Sequence, residues 1–242
     1  MSYALDYSRS GAAAFAGASE RAAFIRRTYT HLAGAILAFT LIEVAIFNLV
    51  PRAELEHQIM RFFSMPMSQL ILFGAFIGVG WVARMWAYGG TSQAMQYMGL
   101  ALYVVFQALI FVPLMFVAIH YRPNDNILPT AAILTLSMFG GLTVAVFVTR
   151  KDFSFLGSIL SVASFLMFGL IVAACIFGIS LGLGFAFLAV ALACGYILYD
   201  TSNVLHHFRT DMHVAASLEL FASVAYLFYY IIYILLMNSR RN

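Results

Sequence analysis

Three carboxylates, Glu43, Asp200 and Glu219, each interrupt a long apolar run. An ionisable side chain at the centre of a membrane helix costs about 2.5–3.5 kcal/mol to insert, so each asks for a partner or a task. Asp200 has polar company on its own helical face, with Tyr196 four residues before it and Asn203 three after. Glu219 opens a series at helical spacing, Glu219, Ser223, Tyr226, Tyr230 and Tyr233, that draws one polar stripe along the last apolar segment. Tyr233 fits an interfacial belt, but Tyr226 and Tyr230 fall too deep for one and are expected to face the bundle interior. Asp200 and Glu219 fall at comparable depth, and two carboxyls sharing a buried site cannot both ionise cheaply, so they should titrate as a unit. In the neutral form such a pair can share a hydrogen bond. Ionised, it repels or recruits a hard cation such as Ca²⁺, which prefers oxygen ligands. The candidate pH-sensing or cation site is therefore Asp200, Glu219, Ser223, Asn203 and Arg84, with Asp200 and Glu219 as the metal ligands. Arg84 lies at similar depth and offers the plainer alternative, a static ion pair that makes insertion tolerable. Glu43 has only Ile42, Val44 and Ala45 beside it, and a structural hydrogen bond or a pathway role is equally open.

Other patterns carry less. Gly178-Ile179-Ser180-Leu181-Gly182 has nucleophile-elbow spacing but joins two apolar helices with no strand before it and no base for Ser180. His206, His207 and His213 sit in a hydrated loop, where histidines are common. A retinal Schiff base needs a lysine in the last span, and Lys151, in a loop, is the chain's one lysine. Cys175 and Cys194 lie in apolar runs, where they read as small buried hydrophobes. With no nucleophile and base together, no catalytic residue, enzymatic activity or cofactor beyond Ca²⁺ is expected.

The elements that must hold these groups follow from composition. At 63% hydrophobic and 10% charged, the 242 residues lie far from the soluble average of about a quarter charged, and lipid is the solvent they suit. The net charge of +3, without a basic run, gives no footprint for nucleic acid. Seven segments approach the roughly 20 apolar residues a span requires: 32–50, 70–86, 95–119, 128–148, 153–179, 181–205 and 214–237. The expected fold is an all-α integral membrane protein of seven transmembrane helices over 31–238, preceded by a mobile tail at 1–30. Breaks fall at Pro51-Arg52 with Glu54 and Glu56, Gly89-Gly90-Thr91-Ser92, Arg122-Pro123-Asn124-Asp125, Arg150-Lys151-Asp152, a 178–184 turn and the histidine loop. With the N-terminus cytoplasmic, Arg9, Arg21, Arg26, Arg27, Arg84, Arg150, Lys151 and Arg209 lie inside; Arg52, Arg61, Arg122, Arg240 and Arg241 lie outside. That bias favours a cytoplasmic N-terminus and a periplasmic C-terminus. Gly74/Gly78 and Gly178/Gly182 have the spacing of close helix packing, with turn formation the equal alternative for the second pair. Pro113 and Pro129 mark places where a helix can kink.

Two runs, Val148-Thr149-Arg150-Lys151-Asp152-Phe153-Ser154-Phe155-Leu156-Gly157 and Ile197-Leu198-Tyr199-Asp200-Thr201-Ser202-Asn203, with Arg26-Arg27-Thr28-Tyr29 before the first span, resemble the Bax-inhibitor-one (transmembrane Bax inhibitor motif) family. Within it, the corresponding stretches of the bacterial modulators of FtsH protease read much the same. The resemblance spans all seven segments. It implies six helices around a central seventh, a bacterial inner membrane, and an acidic pair on the sixth and seventh spans linked to pH-dependent Ca²⁺ leak. Asp200 matches the first acid. Ser223 stands where the second aspartate belongs, as in the FtsH-modulator relatives, and Glu219, one turn or about 6 Å away, is expected to stand in.

Two functions follow as expectations. One is a membrane-embedded regulator that binds the FtsH protease complex, implied by the resemblance, with the N-terminal tail available for engagement. The other is a pH-gated Ca²⁺ or cation leak through Asp200, Glu219 and the tyrosine stripe, although three acids are few for a selective pore.

Overall fold

The computed structural model describes residues 12–65, 67–88 and 92–239. Arg9, the Gly89-Gly90-Thr91 break, Arg240 and Arg241 lie outside the described residues. Eight α-helices are present among the described residues: α1 (Ala18–Leu49), α2 (Arg52–Ser64), α3 (Ser68–Tyr88), α4 (Gln93–Tyr121), α5 (Ile127–Thr149), α6 (Leu156–Phe177), α7 (Gly182–His206) and α8 (His213–Ser239). Seven are long and apolar enough to cross a membrane, all but α2. The protein is thus the all-α, seven-span membrane protein its composition demands.

α8 is the axis. Half of its apolar window is buried, the largest share of any span, and it packs against α1, α3, α4, α5 and α7. Its sequence explains this position: Ala215, Ala216, Ser217, Ser223 and Ala225 are small and buried, so neighbours approach closely, while Leu218, Leu220, Leu227 and Ile232 fill the space between. α6 leans on α7 and reaches α8 through side chains, where Leu160 and Met167 meet Tyr226 and Tyr230.

Two features differ from expectation. First, α1 begins at Ala18, not near residue 32, which extends it about 21 Å before the apolar stretch. From Ala12 onward the expected mobile tail is packed. Ala12 pairs with Arg209, the Ala13 N–H donates to the Phe208 carbonyl at 2.8 Å, and Thr210 donates to Glu20 at 2.5 Å. Arg21 donates to the carbonyls of Ala13 and Ala14. This segment docks on the loop joining α7 to α8, and the end of the bundle it occupies is called proximal below.

Second, the break after Pro51 is a helix. α2 carries Glu54 in its first turn and Arg61 in its last, each favourable to the helix dipole. At 13 residues, about 20 Å, it is too short to span. Leu55 buries against Val112 and Phe116 of α4, fixing α2 to the distal end.

The glycine pairs resolve separately. Gly178 and Gly182 have φ of 66° and 65° and form the turn between α6 and α7, a left-handed geometry that glycine adopts without strain. Among the described residues Gly74 and Gly78 make no close packing, since a Cβ on either would meet nothing within 4 Å. The close approach is at Gly99, where an added Cβ would stand 2.6 Å from the Ala83 carbonyl oxygen. Gly99 therefore lets α4 lie directly on α3 beside Arg84.

Candidate functional site

The polar cluster lies at the proximal half of the bundle, where α3, α7 and α8 meet. Asp200 is 5% exposed, and its Oδ2 accepts a hydrogen bond from the Ser223 hydroxyl at 2.5 Å. One turn earlier on α8, Glu219 accepts from Arg84: Nε donates to Oε1 at 2.9 Å and to Oε2 at 3.1 Å, and Nη2 donates to Oε2 at 2.9 Å. The Glu219 side chain is 16% exposed and that of Arg84 44%. The Arg84 guanidinium also lies 5.9 Å from the centre of the buried Tyr103 ring, and Tyr88 stands beside the ion pair. Asp200 feels the charge of both Glu219 and Arg84, so the three groups form one electrostatic unit with one cation and two carboxyls.

Glu219 is thus held by Arg84 and makes no hydrogen bond to Asp200; the bonded partner of Asp200 is Ser223. The physical reason is plain: a guanidinium fork offers a carboxylate two parallel charged hydrogen bonds, whereas a second carboxylate offers repulsion unless one of them is neutral. Asn203 contributes its backbone carbonyl, which accepts from the N–H groups of His207 and Phe208 and closes α7. Tyr196 hydrogen-bonds Ser164 of α6 at 2.8 Å and not Asp200. Tyr226 and Tyr230 pack edge to face at 4.9 Å within the cluster of Leu160, Met167, Ala189 and Leu192. They lie inside the bundle, toward α6 and α7.

A second proximal contact was not foreseen from side-chain chemistry. The loop between α5 and α6 is latched to α7: the Phe153 N–H donates to Ser202 Oγ at 2.8 Å, and His207 Nε2 lies 3.1 Å from Asp152 Oδ2. Partial burial pushes the Asp152 carboxyl up, but the Ser154 backbone N–H and His207 outweigh it and hold the group at about 2. The two long runs that carry the family resemblance are therefore in contact with each other. His31, Tyr97 and His213 form another junction, with His31 Nε2 2.9 Å from the Tyr97 hydroxyl and the two imidazoles 4.9 Å apart.

Glu43 stands apart from all of this. It ends the buried stripe of α1 that runs through Phe24, Thr28, Leu32, Ala35 and Phe39, it is 5% exposed, and neither carboxyl oxygen has a hydrogen-bond partner among the described residues. Among the described residues no three His, Cys, Asp or Glu side chains converge as metal ligands. Asp200 and Glu219 offer two carboxyls, one already committed to Arg84.

Fold and site together define a class: a seven-span membrane protein whose last helix is a central post, with a buried carboxyl and a carboxylate clamped by arginine near one end. The family described as Inhibitor of apoptosis-promoting Bax1 matches residues 21–241. Among relatives, Bax inhibitor 1 of Schizosaccharomyces pombe is 33% identical over 126 residues, 49% of this chain and 46% of its own length. Protein lifeguard 4 of Mus musculus is 25% identical over 234 residues, 94% of this chain and 90% of its own. An uncharacterised protein of Campylobacter jejuni is 28% identical over 225 residues, 90% of both. The matched stretch spans about half the length of the yeast protein. The chain belongs to the Bax-inhibitor-1 family.

Proposed function

We propose that this protein is a pH-gated cation leak of a bacterial inner membrane, with its N-terminus cytoplasmic and Arg84, Glu219, Asp200 and Ser223 as its gate. One observation carries the reading: a single guanidinium neutralises Glu219 while Asp200, within its field, is capped only by a serine hydroxyl. With Asp200 protonated, one cation balances one anion, and Ser223 ties α7 to α8. When Asp200 ionises, two carboxylates share one arginine, the cluster carries a net negative charge, and either Arg84 is drawn between them or a cation such as Ca²⁺ is recruited to their oxygens. Flux therefore rises with pH.

The test is Ca²⁺ uptake by liposomes holding the purified protein over roughly pH 5 to 8. Asp200→Asn, which cannot ionise, should remove the rise, and Glu219→Gln should free Arg84 to neutralise Asp200 and also close the path. Flux no greater than that of empty liposomes refutes the leak. A second reading is supported by the packed proximal platform of residues 12–21, Phe208 and Arg209 together with the family resemblance: a membrane-embedded regulator that binds the FtsH protease complex. Deleting residues 1–27 should then abolish co-purification with that protease.

A further inference from the structure

The distal end holds a cavity of about 480 Å³ between α2 and the ends of α4 and α8, within the size range of ligand pockets, about 300–1,000 Å³. Its wall is apolar, formed by Ile59, Met60, Phe116, Val117 and Leu236, and its polar groups are Glu56, Tyr121 and Arg122. Arg122 also lines a neighbouring cavity of about 470 Å³ with Asp125, Thr130 and Asn238.

The charges at this rim are arranged unusually. The acids of α2 take neutral donors: Glu56 Oε1 accepts from the Tyr121 hydroxyl at 2.8 Å, and Glu54 accepts from the Gln58 amide at 2.7 Å. The half-buried Arg122 has no ion pair among the described residues, although Glu56 lines the same cavity and Asp125, its near neighbour in sequence, is engaged by Ser239. A half-buried cation, a carboxylate with one oxygen hydrogen-bonded and an apolar wall thus share one cavity. It sits where the spans end: α4 closes at Tyr121, and Met60, on the cavity wall, is 64% exposed.

We propose that this cavity binds one phospholipid with a phosphoethanolamine headgroup, its phosphate on Arg122, its ammonium on Glu56 and an acyl chain along Ile59, Met60, Phe116 and Leu236. The chemistry selects this class. Arginine offers phosphate a fork of donors, an ammonium is the complement of a carboxylate, and the apolar wall has no use for a soluble phosphate. A headgroup with a phosphate but no cation, such as phosphatidylglycerol, leaves Glu56 facing its own charge. Phosphatidylcholine has the cation but no N–H to donate to the carboxylate. The site is separate from the proximal gate, and its occupancy does not depend on conduction.

The test is native mass spectrometry of the full chain in mild detergent, delipidated and then offered phosphatidylethanolamine, phosphatidylglycerol or phosphatidylcholine with the same acyl chains. The expected result is one retained phosphatidylethanolamine per chain, held several-fold better than the other two. Arg122→Gln should weaken it about tenfold, as expected for loss of a charged hydrogen-bond donor. Glu56→Gln should erase the preference over phosphatidylglycerol while leaving a lipid bound. Met60→Trp should fill the cavity and block binding, whereas Arg61→Gln, on the same helix but away from the cavity, should change nothing. Monodisperse elution and an unchanged melting temperature qualify each variant as folded. Equal retention of all three lipids, or retention unaltered by Arg122→Gln and Met60→Trp in folded protein, overturns the proposal.

Discussion

Replacing Gly99 by alanine should separate packing from propensity in a single comparison. A Cβ at position 99 would stand 2.6 Å from the Ala83 carbonyl oxygen, 3.1 Å from the Ala87 nitrogen and 3.2 Å from the Trp86 Cβ. Two of these are backbone atoms of α3, so no side chain can swing aside; α3 itself must retreat by about 0.8 Å to reach an ordinary contact. Overpacking of this kind costs about 1–3 kcal/mol, and the better helix propensity of alanine returns about 1 kcal/mol. The net loss of up to about 2 kcal/mol corresponds to a fall in melting temperature of up to about 8 °C for a chain of this size. Gly74→Ala is the matched comparison on the same helix pair: with nothing within 4 Å of its added Cβ, propensity alone acts, and stability should hold or rise. Thermal unfolding of both variants in one detergent, followed by the loss of monodisperse protein, gives the readout. Because Arg84 lies between Ala83 and Ala87 on the displaced helix, Gly99→Ala should also loosen the Arg84–Glu219 clamp and raise leak at acidic pH. A Gly99→Ala protein as stable as Gly74→Ala would refute the close approach of α3 and α4.

Further outcomes follow from other groups. Ser223→Ala leaves the Asp200 Oδ2 buried without its donor and should cost about 1–3 kcal/mol, seen as a lower melting temperature that Ser223→Thr largely restores. Glu43→Leu removes a carboxyl that is desolvated without a hydrogen bond, so the variant should be as stable as the parent or more so; a loss of stability would mean that Glu43 has a partner after all. Asp152 is held at about 2, below its ordinary value of 3.8, so the contribution of its carboxylate to the latch is fully present above about pH 4 and is lost as pH falls through about 2. Carboxyl NMR should show that low midpoint in the parent and a higher one in His207→Ala, while an ordinary midpoint in the parent would contradict the latch.

Much of this was legible from residue types. Long apolar runs separated by Gly, Pro and charged breaks specify spans almost by themselves, because lipid leaves a backbone few alternatives to the helix. The i, i+4, i+7 stripe of Glu219, Ser223 and Tyr226 placed α8 inside the bundle before any contact was known. What the periodicity of one helix could not provide was the choice of partner between helices. Glu219 was the expected partner of Asp200, with Arg84, Asn203 and Tyr196 as further polar neighbours, and only the crossing of α3, α7 and α8 gives Ser223 to Asp200 and Arg84 to Glu219. α2 was hidden for a different reason: Leu55 and Ile59 sit among charges in a segment too short to span, which reads as a loop until α4 supplies Val112 and Phe116 to cover it. The N-terminal segment was hidden because small residues give no signal of their own, and its order comes from backbone groups of Phe208 and Arg209, nearly 200 residues away. The latch at Asp152 was visible only as two motif runs, whose meeting in space no spacing rule foretells.

The central claim is that Arg84 is the cation that holds the gate closed. Ca²⁺ uptake by liposomes carrying Arg84→Gln, compared with the parent over roughly pH 5 to 8, tests it most directly. Without the guanidinium, the charge of Glu219 is uncompensated even while Asp200 is protonated, and the account predicts a leak already raised at the acidic end, where the parent is quiet. Uptake equal to that of empty liposomes at every pH, in a variant that elutes as folded protein, would show that releasing the clamp opens nothing.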